Sequence, residues 1–480
     1  MVVLKREKMK IIKNYLYNIV YQLLIVMIPI ITMPYVSRVL TAEGIGKYSF
    51  TFSIIQYFVL FSNLGLSFYG NRTIAYYRND PKEISKKFME IMIIKVVITF
   101  LSFVFFIAFL TIYGKFISLL LLQSLQIVAV AFDISWYFTG LENFKKTVMR
   151  NIIVKVATLI CVFLFVHKES DLWIYILLNS LTILLGNLSL WTQIKGEIQH
   201  VKVTMEDIGS HISPIIRLFF PQLATQLFVS INKLMLGSMS NFAQAGFFDN
   251  SDKIIRMILA FVTGIGTVIF PRISNEFHNG NYKKVELLVN KAFCLINLIS
   301  IPSVIGLMIV SKPFSNVFFG DNFNGINTVL SLLSLEIIFM GWSSIFGQYL
   351  IATKKENVVT TTIMIATLVV FIVSFILIPS MGAKGSSIAS IFGEGTIALI
   401  QLFIVTKSIS LKDTRIEIFK YVIAGIGMGI VALFVKGFII NDVIAVFLIV
   451  FLGVIIYIFL LLLMKVELIG SVIKYFKEVK

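Results

Sequence analysis

Apolar runs of about twenty residues recur along almost the whole chain, and the linkers between them are short. A helix needs about 20 apolar residues to cross the hydrocarbon core of a bilayer. Fourteen candidate spans follow, at 14–36, 47–69, 89–111, 116–138, 148–167, 172–192, 213–236, 244–270, 287–310, 326–350, 358–379, 384–405, 418–436 and 443–464. The longest linkers, 70–88, 193–212 and 271–286, leave no room for a soluble domain. The composition agrees: 58% of residues are hydrophobic and 14% charged, against about half apolar and a quarter charged in soluble proteins. The expected class is an all-α integral membrane protein of about 14 transmembrane helices.

The net charge of +17 does not imply nucleic acid, because excess Lys and Arg mark cytoplasmic loops in membrane proteins. Most of the 42 Lys and Arg fall in the N-terminal tail and in the loops on its side. Both termini are therefore expected in the cytoplasm. The basic N-terminus leads into an apolar run carrying Pro29 and Pro34 without a cleavage signal, which reads as a retained first span. Cys161 and Cys294 lie in apolar runs, and the four histidines, His167, His200, His211 and His278, are scattered. No disulfide framework, metal site or cofactor is expected.

The chain repeats itself at an offset of 200. Gln22 matches Gln222, Gly46 matches Gly246, Ile54-Ile55 match Ile254-Ile255, Phe61 matches Phe261, Arg72 matches Arg272 and Asn79 matches Asn279. The offset later drifts, so that Lys145-Lys146 align with Lys354-Lys355. A repeat of six spans enters the membrane in the same direction twice, which gives two parallel lobes. The expected division is a six-helix lobe over 1–200, a second over 201–410, and two appended helices over 411–480. Substrate sites in such proteins lie between the repeats, in a central cavity.

The eighth span is where the pattern breaks. Asp249, Asp252, Lys253 and Arg256 share one helical face, three and four residues apart. Each costs about 2.5–3.5 kcal/mol near the centre of a spanning helix, so the stripe should face a bundle interior or water. Its counterparts in the second span are the neutral Ser49, Ser53 and Gln56. Around them stand Asn14, Asn18 and Gln22 on span 1, and Arg217, Gln222, Gln226, Ser230 and Lys233 on span 7. Such a set suits a ligand with sugar hydroxyls and an anionic group. A plainer reading stands beside it. Asp249–Lys253 and Asp252–Arg256 are acid-to-base pairs at i,i+4 that can neutralise each other. Arg217 can snorkel, Lys233 can anchor at the outer interface, and amides at helical spacing are often helix–helix glue. Counted with Arg217 and Lys233, the four spans carry two surplus positive charges. Glu90, Asp133, Glu336 and Glu394 are further acids in apolar runs, any of which can couple transport to a cation. Asp133 can also pair with Lys155. Gly425-x-Gly427-x-Gly429 and the Gly264–Gly266 pair sit in apolar spans as packing glycines, not phosphate loops.

The stretch PYVSRVLTAEGIGKYSFTFSIIQYFVLFSNLGLSFYGNRTIA, residues 34–75, resembles the start of bacterial polysaccharide biosynthesis proteins of the O-antigen flippase type. These belong to the multidrug/oligosaccharidyl-lipid/polysaccharide exporter superfamily. Ser37-Arg38-Val39-Leu40, Gly44-x-Gly46-x-Tyr48 and Asn71-Arg72 carry the likeness, together with FFDNSDKI at 247–254. The resemblance implies two six-helix lobes around a cavity plus two extra helices. It implies flipping of a polyprenyl-diphosphate-linked oligosaccharide between leaflets, with membrane lipid and polysaccharide polymerase or assembly machinery as partners. In the related lipid II flippases cavity cations hold the diphosphate; here that role falls to Arg256 and Lys253, with Lys233. The absence of a matching cation on span 2 departs from a cavity charged on both lobes. Two rivals remain at this stage. A cation-coupled drug or metabolite exporter would rely on an acid such as Asp249 or Asp252. A membrane polymerase or glycosyltransferase needs a catalytic outer loop, and the longest outer loop, near 311–325, holds one acid, Asp321. No nucleotide-binding motif is present, so transport is expected to be secondary or passive.

Overall fold

The computed structural model describes residues 2–199 and 201–466, with side chains beyond residue 26 except those of 265, 267, 268 and 413. Among these residues the chain is helical throughout, with no strand. Sixteen α-helices form: α1 Val2–Asn63, α2 Leu66–Tyr77, α3 Pro81–Tyr113, α4 Ile117–Ala131, α5 Ser135–Gly140, α6 Phe144–Phe165, α7 Leu172–Trp191, α8 Met205–Met239, α9 Phe242–His278, α10 Tyr282–Phe319, α11 Ile326–Leu333, α12 Glu336–Ala352, α13 Glu356–Met381, α14 Ala383–Val405, α15 Lys412–Gly437 and α16 Asp442–Leu463. This is a multi-pass membrane protein: 11 of the described helical segments are long and apolar enough to cross a bilayer, or 12 if the two arms of α9, bent by 41°, are joined. The tally falls short of fourteen because α1 and α2 together hold the first two expected spans, and α4 has only 15 residues.

Several boundaries differ from the hydropathy reading. The expected first outer loop is compressed to a kink at Thr41, at φ 60°, within α1. Glu43 and Lys47, just beyond it, form a helical i,i+4 pair at 2.8 Å with both side chains solvent-accessible. The linker 70–88 is almost entirely helix, because α2 runs on to Tyr77 and α3 begins at Pro81. Pro81 stands at the first helical position and the Asp80 carboxylate accepts from the Lys82 and Glu83 amides. The expected outer loop at 311–325 is likewise shortened, since α10 continues to Phe319. Apolar length locates a span, but capping and polar helix formers decide where it stops.

The chain divides into two compact units, Met1–Ser230 and Ile231–Lys480. In the first, α1 packs on α3, α4 and α6, and α7 on α4 and α6. The break between α1 and α2 needs glycine: Gly65 has φ 82°, and a Cβ there would meet the Ile215 carbonyl at 3.1 Å. Beyond it, α2 lies so close to α5 that a Cβ on Gly70 would come within 2.5 Å of the Trp136 ring. Trp136 stacks on Phe88 in a buried cluster with Leu66, Ile91 and Tyr137.

In the second unit α9 packs on α10, α11, α12 and α14, and α13 pairs with α14. The two last helices, α15 and α16, pack on α10 and on each other. Glycine makes that seam. A Cβ on Gly425 or Gly429 would come within 2.9 Å of Ile305, and one on Gly427 within 2.7 Å of Leu460. Alternate residues therefore abut the helices on either side.

Candidate functional site

The stripe on α9 is set by its start. Asn241 caps the helix, its side chain accepting from the Gln244 amide at 2.9 Å. Gln244 in turn accepts from the Ala383 amide at 2.9 Å, which ties the start of α9 to that of α14. One and a half turns on, Asp249 and Asp252 point inward and are buried. Lys233, from the end of α8, bridges them: its ammonium lies 2.6 Å from Asp249 and 3.4 Å from Asp252. Lys253 reaches Asp249 at 2.6 Å and Arg256 reaches Asp252 at 2.8 Å. The i,i+4 pairing that the plainer reading required is thus formed.

The cations stay more exposed than the acids they pair with. The side chains of Asp249 and Asp252 are 4% and 7% exposed, those of Lys253 and Arg256 36% and 43%. Buried carboxylates hold two cationic heads on one face while leaving each partly exposed. Lys233 neutralises both acids from beneath, so the five groups carry three positive charges against two negative.

Two further acids stand close by. Glu336, at the start of α12, and Glu394, in α14, are buried and lie within electrostatic reach of Arg256 and Asp252. Glu336 takes a hydrogen bond from Ser390, and its Oε1 has no hydrogen-bond partner. These two acids lie about 80 and 140 positions downstream of Arg256 and are brought in by the packing of α12 and α14 on α9.

The other expected site residues are placed as follows. Arg217 belongs to the first unit, is exposed and makes no ion pair among the described residues. Ser53 is buried and donates to the Ser49 carbonyl at 2.8 Å. Gln56 donates to Gln126, which donates to Ser180, both at 3.2 Å, a chain linking α1, α4 and α7. Gln222 donates to the Leu218 carbonyl and Gln226 to Ser230. Asn18 and Gln22 lie outside the residues whose side chains are described.

Two pairings escaped sequence reasoning. The partner of Asp133 is Lys95, not Lys155: the fully buried Lys95 ammonium donates to the Asp133 carbonyl at 2.6 Å and lies 3.8 Å from its carboxylate. Glu90 joins His211 and Tyr69 in a buried hydrogen-bonded row. The acids were visible as charges in apolar runs; nothing in the spacing identified their partners.

The apolar helices define a multi-pass membrane protein, and α9 carries a charged face within it. The chain belongs to the polysaccharide biosynthesis protein family, whose match spans residues 11–277. It is 22% identical to an Escherichia coli (strain K12) protein named "Putative O-antigen transporter", over 73% of this chain and 86% of that one. It is 26% identical to the lipid II flippase MurJ of Bacillus subtilis (strain 168), over 39% of this chain and 36% of that one. Its fold matches a solved structure of lipid II flippase MurJ in an inward closed conformation, with a TM-score of 0.74 at 17% identity, covering 95% of this chain and 100% of the other.

Proposed function

We propose that this protein is a flippase. It moves a polyprenyl-diphosphate-linked oligosaccharide, the repeat unit of an O-antigen, capsule or other surface polysaccharide, across a bacterial cytoplasmic membrane by alternating access. Family membership and the names of its relatives support a lipid-linked glycan as cargo. On this reading it is a transporter rather than an enzyme, its termini are cytoplasmic, and a polysaccharide polymerase acts downstream. The lobe limits at residues 200 and 410 belong to the same proposal and come from the sequence repeat.

One observation carries the site: Lys253 and Arg256 present partly exposed cationic heads one turn apart on α9, paired to buried acids. Arg and Lys heads held in this way form charge-assisted hydrogen bonds with phosphate oxygens. Lys233 fixes the acids, so it supports the site rather than ending in it. The test is complementation of a strain lacking its own oligosaccharide flippase, scoring surface glycan, with Arg256→Ala and Lys253→Ala first shown to reach the membrane at wild-type levels. Restoration by the wild type and failure of both variants is the expected result. Equal restoration by all three would move the diphosphate site away from α9.

A further inference from the structure

A second basic recess lies in the first unit, built from α2, the start of α3 and α8, and none of the charges on α9 belong to it. It has a volume of about 500 Å³, and Arg72, Lys87, Tyr69, Tyr76, Tyr77 and His211 stand in its wall. We infer that this recess binds a phosphate group, supplied either by a lipid headgroup or by a soluble phosphorylated compound.

The wall is preorganised. Arg72 lies over the Tyr69 ring, 5.8 Å from its centroid, and Lys87 over the Tyr77 ring at 5.9 Å. Behind them runs a buried row of hydrogen bonds. The Tyr69 hydroxyl meets His211 Nδ1 at 2.5 Å, His211 Nε2 meets Glu90 at 2.6 Å, and Lys87 donates to Glu90 at 2.8 Å. Glu90 and His211 are 0% and 4% exposed. This row fixes the Tyr69 ring beneath Arg72, and Lys87 itself, before any ligand arrives.

The charge balance leaves one cation over. Lys86 pairs with Asp207 at 2.9 Å and Lys87 with Glu90 at 2.8 Å. Arg72 is exposed and makes no ion pair among the described residues. A guanidinium and an ammonium approaching from separate tyrosine faces suit a group with several charged oxygens, which phosphate offers and a carboxylate does not. Tyr76, 85% exposed at the rim, presents an aromatic face for a sugar or other ring attached to that phosphate.

The repeat supplies an internal comparison. At the offset of 200, Arg272 is the counterpart of Arg72, and it too is exposed and lines a recess, of about 420 Å³. There the counterpart of Tyr76 is the carboxylate of Glu276, which sits 3.5 Å from Lys284. The second recess carries its own anion; the first does not have one at that position.

The experiment measures the rate at which phenylglyoxal modifies each arginine of the full-length protein, by peptide mass spectrometry. One arm adds inorganic pyrophosphate to protein in phosphatidylcholine vesicles. The other replaces part of the phosphatidylcholine with phosphatidic acid. Protection of Arg72 by about tenfold, the effect of one charge-assisted contact made in addition to solvent exclusion, is expected in at least one arm, with Arg272 changed by less than about twofold. Protection by pyrophosphate alone assigns the ligand to a soluble source, and protection by phosphatidic acid alone to a lipid headgroup. Lys87→Gln should remove most of the protection. No protection of Arg72 in either arm, or equal protection of Arg272, overturns the inference. Both results come from the wild type, so they stand even if Lys87→Gln fails to fold. Because the readout is local to Arg72 and involves no glycan transport, failure here and failure of the flippase proposal are distinguishable.

Discussion

The second half of α1 and the first half of α9 occupy matching places in the repeat, and they solve the problem of polar groups in a bilayer in opposite ways. On α1, Ser53 returns its hydroxyl proton to its own helix and Gln56 spends its amide on Gln126. Every one of these bonds is neutral and internal to the first unit. On α9 the same positions carry Asp249, Lys253 and Arg256, and the pairing leaves two cationic heads partly exposed. Neutral amides in helical bundles join helices at modest energy. Charges are retained only where a partner or a ligand repays their desolvation. The difference makes one helix a neutral, internally bonded element, and it is the counterpart whose partly exposed cations the proposed function uses.

Removing the buried counter-charge should have the largest effect. Lys233→Ala leaves Asp249 and Asp252 without the buried ammonium they share, each with its one i,i+4 partner, and should destabilise the protein by about 1–3 kcal/mol. Thermal unfolding in detergent measures this. Lys95→Ala, which strips Asp133 of its buried partner, should behave alike and shows whether the penalty is general to buried pairs in either unit. A fully stable Lys233→Ala would mean that the acids on α9 are not held as charges. Arg256→Ala comes next: Asp252 keeps Lys233, so folding should change by about 1 kcal/mol or less while delivery of surface glycan falls about tenfold or more. Gln56→Ala comes last. It should cost about 0.6–1 kcal/mol of stability and leave glycan delivery within about twofold, as quantitative surface labelling would read. A large transport defect in Gln56→Ala with normal stability would erase the distinction between the two helices.

Most of the fold was legible because membrane insertion is governed by local apolar length, which a linear sequence displays directly. Each expected span has a helix in its place. The ends were harder to read. The kink at Thr41 and the break at Leu64–Gly65 depend on backbone geometry and on close neighbours such as the Ile215 carbonyl. The polar partners were harder still. The stripe on α9 was visible from its three-and-four spacing, and its internal pairs follow from helix geometry alone. That Glu336 and Glu394 approach Arg256, or that Asp133 turns to Lys95 instead of Lys155, depends on which helices pack together. Two charges in separate apolar runs give no linear sign of meeting.

The glycine seam between α10, α15 and α16 has a kinematic consequence. Ile305 sits against the bare backbone of Gly425 and Gly429, which are one helical turn apart. Sliding α15 along α10 by part of a turn would drive the larger neighbours of those glycines, such as Met428, into the isoleucine. The seam therefore resists shear and permits the three helices to travel only as one plank. Any relative movement of helices in the second unit would have to be taken up outside that seam, and α9 is angled by 41° between its two arms.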